Sequence, residues 1–416
     1  MTSNLLGDAD DPSQLIAAAA PKPAAKLPTK PPPPGELRFP ISSSADPVSK
    51  VLEDDNLLIE IILRLGCPTT LVHAALVCKR WLCHASDPAV LRRFRKLHPP
   101  RLLGFYLDVF SYSQKPDLTY FVPMLPQPTE LAAIARRVAS YNFDDYHNAH
   151  IEDSQNGHLL IQDVKDDTYK VLSPLRSERA VTIPCPPGYD FLCDHILFKQ
   201  GSHELFYLLF DEEKGEHILA HVYVLKDSVW CLHTSFLAAQ GPLTIRPLLV
   251  DNKMYIASGL NDILILDMKD SSFSKICLPE GVKYCRGRES TMFSGTDDDS
   301  KVYLIHVKEF QVRIWLHNGD DWSLVDAISL REIYDSLRKS DDTVGMDFSD
   351  VVIEQAGENA EFVFLKIGRS ILYLDVKCRI VHIVYEENTE EGHAYIYPFM
   401  MIWPPTFPAH KDDPSR

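Results

Sequence analysis

The nine cysteines of this 416-residue chain include no Cys-x-x-Cys pair, so neither the ligand spacing of a zinc ribbon nor a disulfide framework is present. A reducing compartment, cytoplasm or nucleus, is the expectation. The chain also lacks a Gly-rich phosphate loop, a Gly-x-Ser-x-Gly elbow, a His-Glu-x-x-His pair and an Asp-rich calcium loop closed by glutamate. No enzymatic activity, no catalytic residue, no cofactor and no metal are expected. Near the start the longest apolar run is Leu15 to Ala20, six residues, too short for a signal-peptide core or a membrane span. Asp8, Asp10 and Asp11 argue against an organelle transit peptide, and no membrane partner is expected.

Positive charge is scarce beyond the first quarter. Of 42 Lys and Arg and 58 Asp and Glu, residues 1–101 hold 13 and 10 and the rest 29 and 48, giving +3 and −19. Phosphate contacts supply most nucleic-acid affinity, so nucleic acid is excluded as a partner of the acidic part. Basic residues cluster at Lys79, Arg80, Arg92, Arg93, Arg95, Lys96 and Arg101, either as a solvated helix face or as a surface that docks an acidic body.

What is present divides into segments. Residues 1–45, rich in Ala, Pro and Lys, read as a disordered tail whose prolines are either merely solvated or a polyproline II ligand. Residues 408–416 read as a flexible tail. Hydrophobic residues make up 45% of the chain, enough for a sizeable core in two or three domains.

Between residues 50 and 97 the apolar period is helical. Leu57, Leu58, Ile61, Ile62 and Leu65 fall on one wide stripe, with Asp54 or Asp55 as the cap. Gly66-Cys67-Pro68 stops this helix, and Thr69 or Thr70 caps a second that brings Leu71, Ala75 and Cys78 to one face. A third carries Trp81, a fourth starts at Asp87-Pro88, and Pro99-Pro100 ends it. So short a bundle buries too little apolar area to stand alone, and its stripe needs either the rest of the chain or a partner.

The segment resembles an F-box through Leu52, Asp54, Leu57, Leu58, Ile61, Ile62, Leu65, Pro68, Leu71, Val77, Cys78, Lys79, Arg80 and Trp81. It departs from that pattern at Glu53, where the family has proline, and at Cys78, where serine is common. The resemblance implies docking on a Skp-family adaptor, and through it on a cullin-RING (SCF) ubiquitin ligase. It assigns the contact to Leu52, Leu57, Leu58, Ile61, Ile62, Leu65, Pro68, Leu71, Val77, Cys78, Lys79 and Trp81.

From residue 101 to 407 the texture becomes β. A strand ending in an apolar residue plus leucine recurs at Val171-Leu172, Val224-Leu225, Ile265-Leu266, Trp315-Leu316 and Tyr373-Leu374, with leucines 53, 41, 50 and 58 residues apart. Two copies nearly coincide: Ile263-Leu264-Ile265-Leu266-Asp267-Met268-Lys269 and Ile371-Leu372-Tyr373-Leu374-Asp375-Val376-Lys377. The last four are preceded by strands bearing Phe206-Tyr207, Tyr255, Tyr303 and Phe362. Units of three or four strands at this period predict a β-propeller.

Five units are countable, and Leu102 to Val122 with Tyr395 to Trp403 supply a sixth blade from the two ends, which closes the ring and hides its edges. Two stacked sandwiches or an irregular barrel remain the other all-β readings. No Trp-Asp dipeptide and no Gly-Gly pair occurs, so neither a plain WD40 nor a plain kelch array is indicated. The Asn156-Gly157-His158-Leu159-Leu160 start and the paired strands behind a helical hook resemble the F-box-associated propeller-like domains of plants. The expected fold is therefore multidomain, α plus all-β: a short helical bundle, then a propeller-like domain of about six blades.

Few residues stand out as further candidates. Asp144, Asp145, His147, His150, Glu152 and Asp153 form either a metal-ligating cluster or, without the fixed spacing of structural sites, a solvated polar loop after the helix-like Glu130 to Ala139. Cys193/His195 and Cys231/His233 read as ordinary strand neighbours. Acidic stretches at Asp211-Glu212-Glu213, Asp297-Asp298-Asp299, Asp341-Asp342, Glu386-Glu387 and Glu390-Glu391 are either solubilising turns or, Asp297, Asp298 and Asp299 foremost, contacts to a basic target. The two resemblances together imply a non-catalytic substrate receptor that holds an unknown protein target near the ligase. The alternative is a propeller scaffold or enzyme whose helices are no functional F-box.

Overall fold

The computed structural model describes residues 51–99, 101–110, 118–124, 129–141, 143, 146, 149–163, 168–176, 179–188, 194–198, 205–211, 217–239, 245–284, 290–296, 301–319, 321–333, 335, 351–387 and 393–407. The chain forms two units, Met1–Glu53 and Asp54–Arg416. Of the first, only Val51, Leu52 and Glu53 are described, and they are helical.

Four short helices open the second unit: α1 (Asp55–Leu63), α2 (Pro68–Ala75), α3 (Lys79–Ala85) and α4 (Pro88–Leu97). Asp54 caps α1, its carboxylate accepting from the N–H groups of Asn56 at 2.8 Å and Leu57 at 3.2 Å. Asp87 caps α4 in the same way, at 2.8 Å to Ala89 and 3.1 Å to Val90, with Pro88 in the first turn. The start of α2 departs from expectation. Its cap is Cys67, with no side-chain hydrogen bond, because Pro68 already supplies a first residue that needs no N–H partner. The hydroxyl of Thr70 instead donates back to the Cys67 carbonyl at 2.6 Å. Cys78, expected on the inner face with Leu71 and Ala75, is exposed because it is the extended residue that caps α3.

The remainder is a six-bladed β-propeller. Five blades have four antiparallel strands in sequence order: β3 (Ala149–Gln155), β4 (His158–Asp163), β5 (Thr168–Leu172) and β6 (Val181–Ile183); then β7 (Asp194–Phe198), β8 (Leu205–Asp211), β9 (His217–Lys226) and β10 (Val229–Ala239). The third has β11 (Leu248–Val250), β12 (Lys253–Ser258), β13 (Asp262–Asp267) and β14 (Phe273–Cys277), and the fourth β15 (Thr291–Thr296), β16 (Lys301–Lys308), β17 (Gln311–His317) and β18 (Trp322–Ser329). The fifth has β19 (Val351–Ala356), β20 (Phe362–Ile367), β21 (Ser370–Asp375) and β22 (Ile380–Glu386).

The sixth blade joins the two ends of the domain, as the sequence predicts: β1 (Leu102–Phe110) pairs with β2 (Leu118–Pro123) on one side and β23 (His393–Met400) on the other. The recurrent apolar-leucine pairs all lie in the third strands of the four-stranded blades. A helix, α5 (Thr129–Ala139), follows β2 and packs Leu131 and Val138 beside Tyr106 and Leu159.

Turn chemistry fixes the hairpins. Asn156 and Gly157, Asp227 and Ser228, Asp251 and Asn252, and Glu309 and Phe310 all have positive φ, the geometry of two-residue turns that match the twist of antiparallel strands. Gly157, at φ +73°, has no alternative: a Cβ there would sit 2.4 Å from Ile402.

Every neighbouring pair of blades shares an apolar layer. Val312 and Ile314 pack on Val363 and Leu372, Leu208 and Val222 on Met254 and Leu266, and Phe105 and Ile396 on Phe364 and Ile371. Tyr106 and Phe399 close the ring against Ile151 and Leu159. Each layer forms only when both blades are present, so the ring behaves as one core.

Candidate functional site

The helical segment sorts its apolar residues into two sets. Leu58, Ile62, Pro68 and Leu71 are buried, where they join Leu63, Ala75, Ala85, Val90 and Phe94 in the bundle core or line it. Leu52, Ile61, Leu65 and Trp81 are half-buried. Leu57 at 45% and Val77 at 64% exposure, together with Cys78 and Lys79, face outward. Leu76, at 60% exposure, belongs with them, and its place in the sequence does not mark it. It caps the C-terminus of α2, where helical period no longer says which way a side chain points.

Asp55 braces this surface from α1. It accepts from Arg80 at 2.6 Å and meets His84 at 2.9 Å, and those two hydrogen bonds hold its carboxyl below the usual range.

A second set of contacts fastens α4 to the ring. Phe94 stacks on Trp403, ring centroids 5.6 Å apart and planes within 9°, and the Trp403 backbone N–H donates to Asn156 Oδ1 in the β3–β4 turn at 2.6 Å. Arg95 pairs with Glu358, in the short 3-10 turn Glu358–Ala360 between β19 and β20. Beside it, burial pushes the Glu361 carboxyl up to about 7, reinforced by Glu358 and Asp375 and opposed by Arg95 and Lys377. Of the basic cluster, Arg95 therefore docks the acidic ring, Arg80 and Arg93 brace α1 through Asp55 and Glu60, and Arg92 is solvated.

The innermost strands β3, β7, β11, β15, β19 and β23 surround a central cavity of about 420 Å3. Its wall includes Glu152 and Asp153 from β3, Arg246 just before β11, Thr291 and Ser294 from β15, Glu354 from β19, Glu358 beyond it, and Tyr397 from β23. Arg246 pairs with Asp153 at 2.6 Å. The Ser294 hydroxyl donates to the Gly357 carbonyl at 2.6 Å and accepts from the Ala360 N–H at 2.8 Å, which pins the β19–β20 turn to the neighbouring blade. Burial first, then the Glu152 and Asp108 carboxylates, raise the Tyr397 phenol well above its ordinary value.

Several expectations are altered by this arrangement. His150, Glu152 and Asp153 are not part of a solvated loop: they lie in β3, the inner strand of the first blade. His150 Nδ1 is 3.7 Å from the buried Asp108 carboxylate, Asp153 holds Arg246, and Glu152 faces the cavity. A cluster of polar residues masked the strand, because β3 alternates buried and exposed positions only around its bulge. Asp144, Asp145 and His147 lie outside the described residues, and among the described residues no group of three His, Cys, Asp or Glu is placed to hold a metal ion.

Asp297, Asp298 and Asp299 also lie outside the described residues, as do Glu212, Glu213, Asp341, Asp342, Glu390, Glu391 and Cys193. Glu387 is structural: it pairs with Lys366 at 2.7 Å and accepts from the Ala394 N–H at 3.1 Å. His195 lines the cavity, Cys231 is exposed, and His233 meets Ser271 at 3.3 Å. No described helix is long and apolar enough to cross a membrane.

A family model described as F-box protein AT5G49610-like, beta-propeller matches residues 150–407, more than half of the chain. No curated protein matches. Among solved structures, similarity extends to a protein of unknown function from Bacteroides thetaiotaomicron VPI-5482, at 13% identity over 59% of this chain and 61% of that one, with a TM-score of 0.35. TolB from Acinetobacter baumannii aligns at 13% identity over 66% and 63%, with a TM-score of 0.34. The β-propeller domain of the Trilobed protease from Pyrococcus furiosus aligns at 11% identity over 70% and 84%, with a TM-score of 0.35. This chain spans less than two thirds of the length of the first two.

Proposed function

The chain belongs to the F-box protein AT5G49610-like β-propeller family, and from that premise we propose that it is a plant-type, non-catalytic substrate receptor of an SCF ubiquitin ligase. In this reading residues 50–97 are the F-box, which docks on a Skp-family adaptor and through it on a cullin-RING ligase. The propeller holds a protein target, in the cytoplasm or nucleus, within reach of ubiquitin charged on another subunit. Catalysis by proximity needs no active-site residue in the receptor itself, because tethering raises the effective concentration of the target.

One observation carries the docking half of the proposal. A bundle of four short helices already fastened to a ring by Phe94, Arg95 and Trp403 still leaves Leu57, Leu76 and Val77 exposed. Its inner apolar face is spent on Leu58, Ile62 and Leu71, so the outer residues have no folding role to explain them. That supports a protein partner covering α1 and the α2–α3 connection.

Co-expression of the full chain with a Skp-family adaptor tests the reading. The two are expected to co-purify, and Leu57→Asp combined with Ile61→Asp is expected to abolish co-purification while the β-dominated circular dichroism of the chain persists. A wild-type chain that never retains an adaptor, or a double variant that retains it equally, refutes the assignment.

A further inference from the structure

Five of the six outer strands of the ring are guarded against pairing with another chain. β6 has only three residues, β14 carries Lys275, β18 carries Asp326, β22 carries Glu386, and β2 stops at Pro123. Shortness, charge and proline are the features that keep an open strand edge from acting as a template. β10 has none of them. It is the longest described strand, eleven residues from Val229 to Ala239, and contains no Asp, Glu, Lys, Arg or Pro. Among the described residues no strand pairs with its outer edge. The Ala239 carbonyl accepts from the Gly259 N–H at 3.4 Å, which ends the open stretch at Ala238.

The side chains of this edge are as unguarded as its backbone. A bulge between Leu232 and Thr234 shifts the alternation, so that Leu232, Ser235 and Leu237 share one face, across from Tyr223, His221 and Leu219 of β9. Leu232 is 56% and Leu237 61% exposed, and Ser235 between them meets His221 Nδ1 at 2.7 Å. The opposite face is spent on the ring: Phe236 and Ala238 are buried in the layer shared with the third blade. Trp230, at one end of the open face, is held by its neighbour, its indole N–H donating to the Pro184 carbonyl at 2.8 Å. Farther along, the two leucines stay in solvent.

We infer that β10 is the seam of a homodimer, in which two copies of the chain pair edge to edge and antiparallel about a two-fold axis at Ser235. The strand itself selects this occupant, because an isologous contact has to be self-complementary. With Ser235 on the axis and the bulge counted as one rung, Leu232 of each copy lies across from Leu237 of the other, Thr234 across from Phe236, and Cys231 across from Ala238. Each of these pairs joins residues of the same face, and two Leu–Leu pairs flank the axis on the exposed side. Charge selects the same place. Residues 102–416 carry a net −19, so two copies repel wherever carboxylates meet, and a seam along β10 brings none together. Two four-stranded blades become one eight-stranded sheet, and the open edge of each finds its backbone partners. For the proposed receptor the consequence is two propellers per assembly and avidity for a target with two binding segments. That consequence rests on the receptor reading, whereas the dimer does not.

Sedimentation velocity of the full chain over a concentration series, with no adaptor present, tests the inference. A single edge pairing buries a small area, so the chain is expected to pass from monomer to dimer at roughly micromolar concentration. No larger species is expected, since a two-fold contact closes on itself. Leu232→Lys combined with Leu237→Lys sets lysine across from lysine at both flanking pairs and is expected to weaken the dimer at least tenfold. Both side chains are mostly exposed, and an unchanged circular dichroism spectrum confirms that the variant is folded. Leu324→Lys combined with Val325→Lys, on the outer strand β18, removes equally exposed apolar groups and is expected to leave the dimer as it is. Ser235→Cys, on the axis, is expected to give a disulfide-linked dimer with oxidised glutathione as the electron acceptor, beyond any linkage of the wild-type chain. A chain that stays monomeric at every concentration overturns the proposal. So does a β10 double-lysine variant that dimerises like wild type, a dimer lost through Leu57→Asp and Val77→Asp instead, or a Ser235→Cys chain that dimerises without linking.

Discussion

Trp403→Ala removes the residue on which the helices and the ring share a core. Trp403 is 6% exposed, packs in one cluster with Leu58, Ile62, Val90 and Phe94, and stacks on Phe94 at 5.6 Å. Truncating a buried aromatic to alanine costs about 3–5 kcal/mol, because the lost transfer energy is joined by a cavity that the surroundings only partly fill. About 1 kcal/mol of that is the stacked pair itself. The backbone N–H of residue 403 still donates to Asn156 Oδ1, and Pro404 is untouched, so the chain path is kept. The damage therefore falls on α4 and the helices behind it. Urea unfolding followed by tryptophan-independent circular dichroism should show a loss of about 3 kcal/mol or more. Amide exchange should accelerate across Asp55–Leu97 more than across β7 to β18, which share no core with Trp403. A loss under about 1 kcal/mol, or unchanged exchange in the helices, refutes the claim that this stack fastens them.

Two further predictions follow from groups near the same joint. Glu361 holds its proton up to about pH 7 in the folded chain, whereas unfolded it ionises near its ordinary value of 4.5, so the stability it contributes is complete below about pH 4.5 and lost as pH rises through 7. Glu361→Gln should remove that slope and raise stability at pH 8 relative to wild type by roughly 1–2 kcal/mol, allowing for the solvent it still touches, and parallel pH profiles of the two in chemical denaturation would contradict this. Gly157→Ala combines a positive φ with a Cβ 2.4 Å from Ile402, and should destabilise by about 2 kcal/mol or more in thermal melts; a neutral effect would show that the β3–β4 turn relaxes freely.

The parts of the fold legible in the sequence were those written in period and punctuation. The apolar-leucine pairs marked the third strand of every four-stranded blade, because a repeated blade brings the same position of each unit into the same surroundings. Leu102 to Val122 and Tyr395 to Trp403 were legible as partners because a ring needs its edges paired. The caps at Asp54 and Asp87 were legible from local chemistry alone.

What escaped was set by tertiary context. β3 reads as a polar loop, since His150, Glu152 and Asp153 find their partners in Asp108, the cavity and Arg246, all distant in sequence. Glu354 attracts no notice in the sequence, because only the register slip beside Ile353 directs it to the centre of the ring. The division of the helical stripe between Leu58, which is buried, and Leu57, which is exposed, depends on where Trp403 comes back to meet it. A stripe wide enough for two partners shows its width in the sequence, but not which half the chain itself will cover.

The exposed half is where the account is most directly tested. Calorimetric titration of a purified Skp-family adaptor into the full chain, and into a chain carrying Leu57→Asp and Val77→Asp, measures whether these side chains are a docking surface. The account predicts saturable one-to-one binding by the wild-type chain and, since buried apolar anchors at an interface contribute about 2 kcal/mol or more each, at least a hundredfold loss in the double variant with its unfolding midpoint unchanged. Wild-type heat that never saturates, or equal affinities for the two chains, would contradict it.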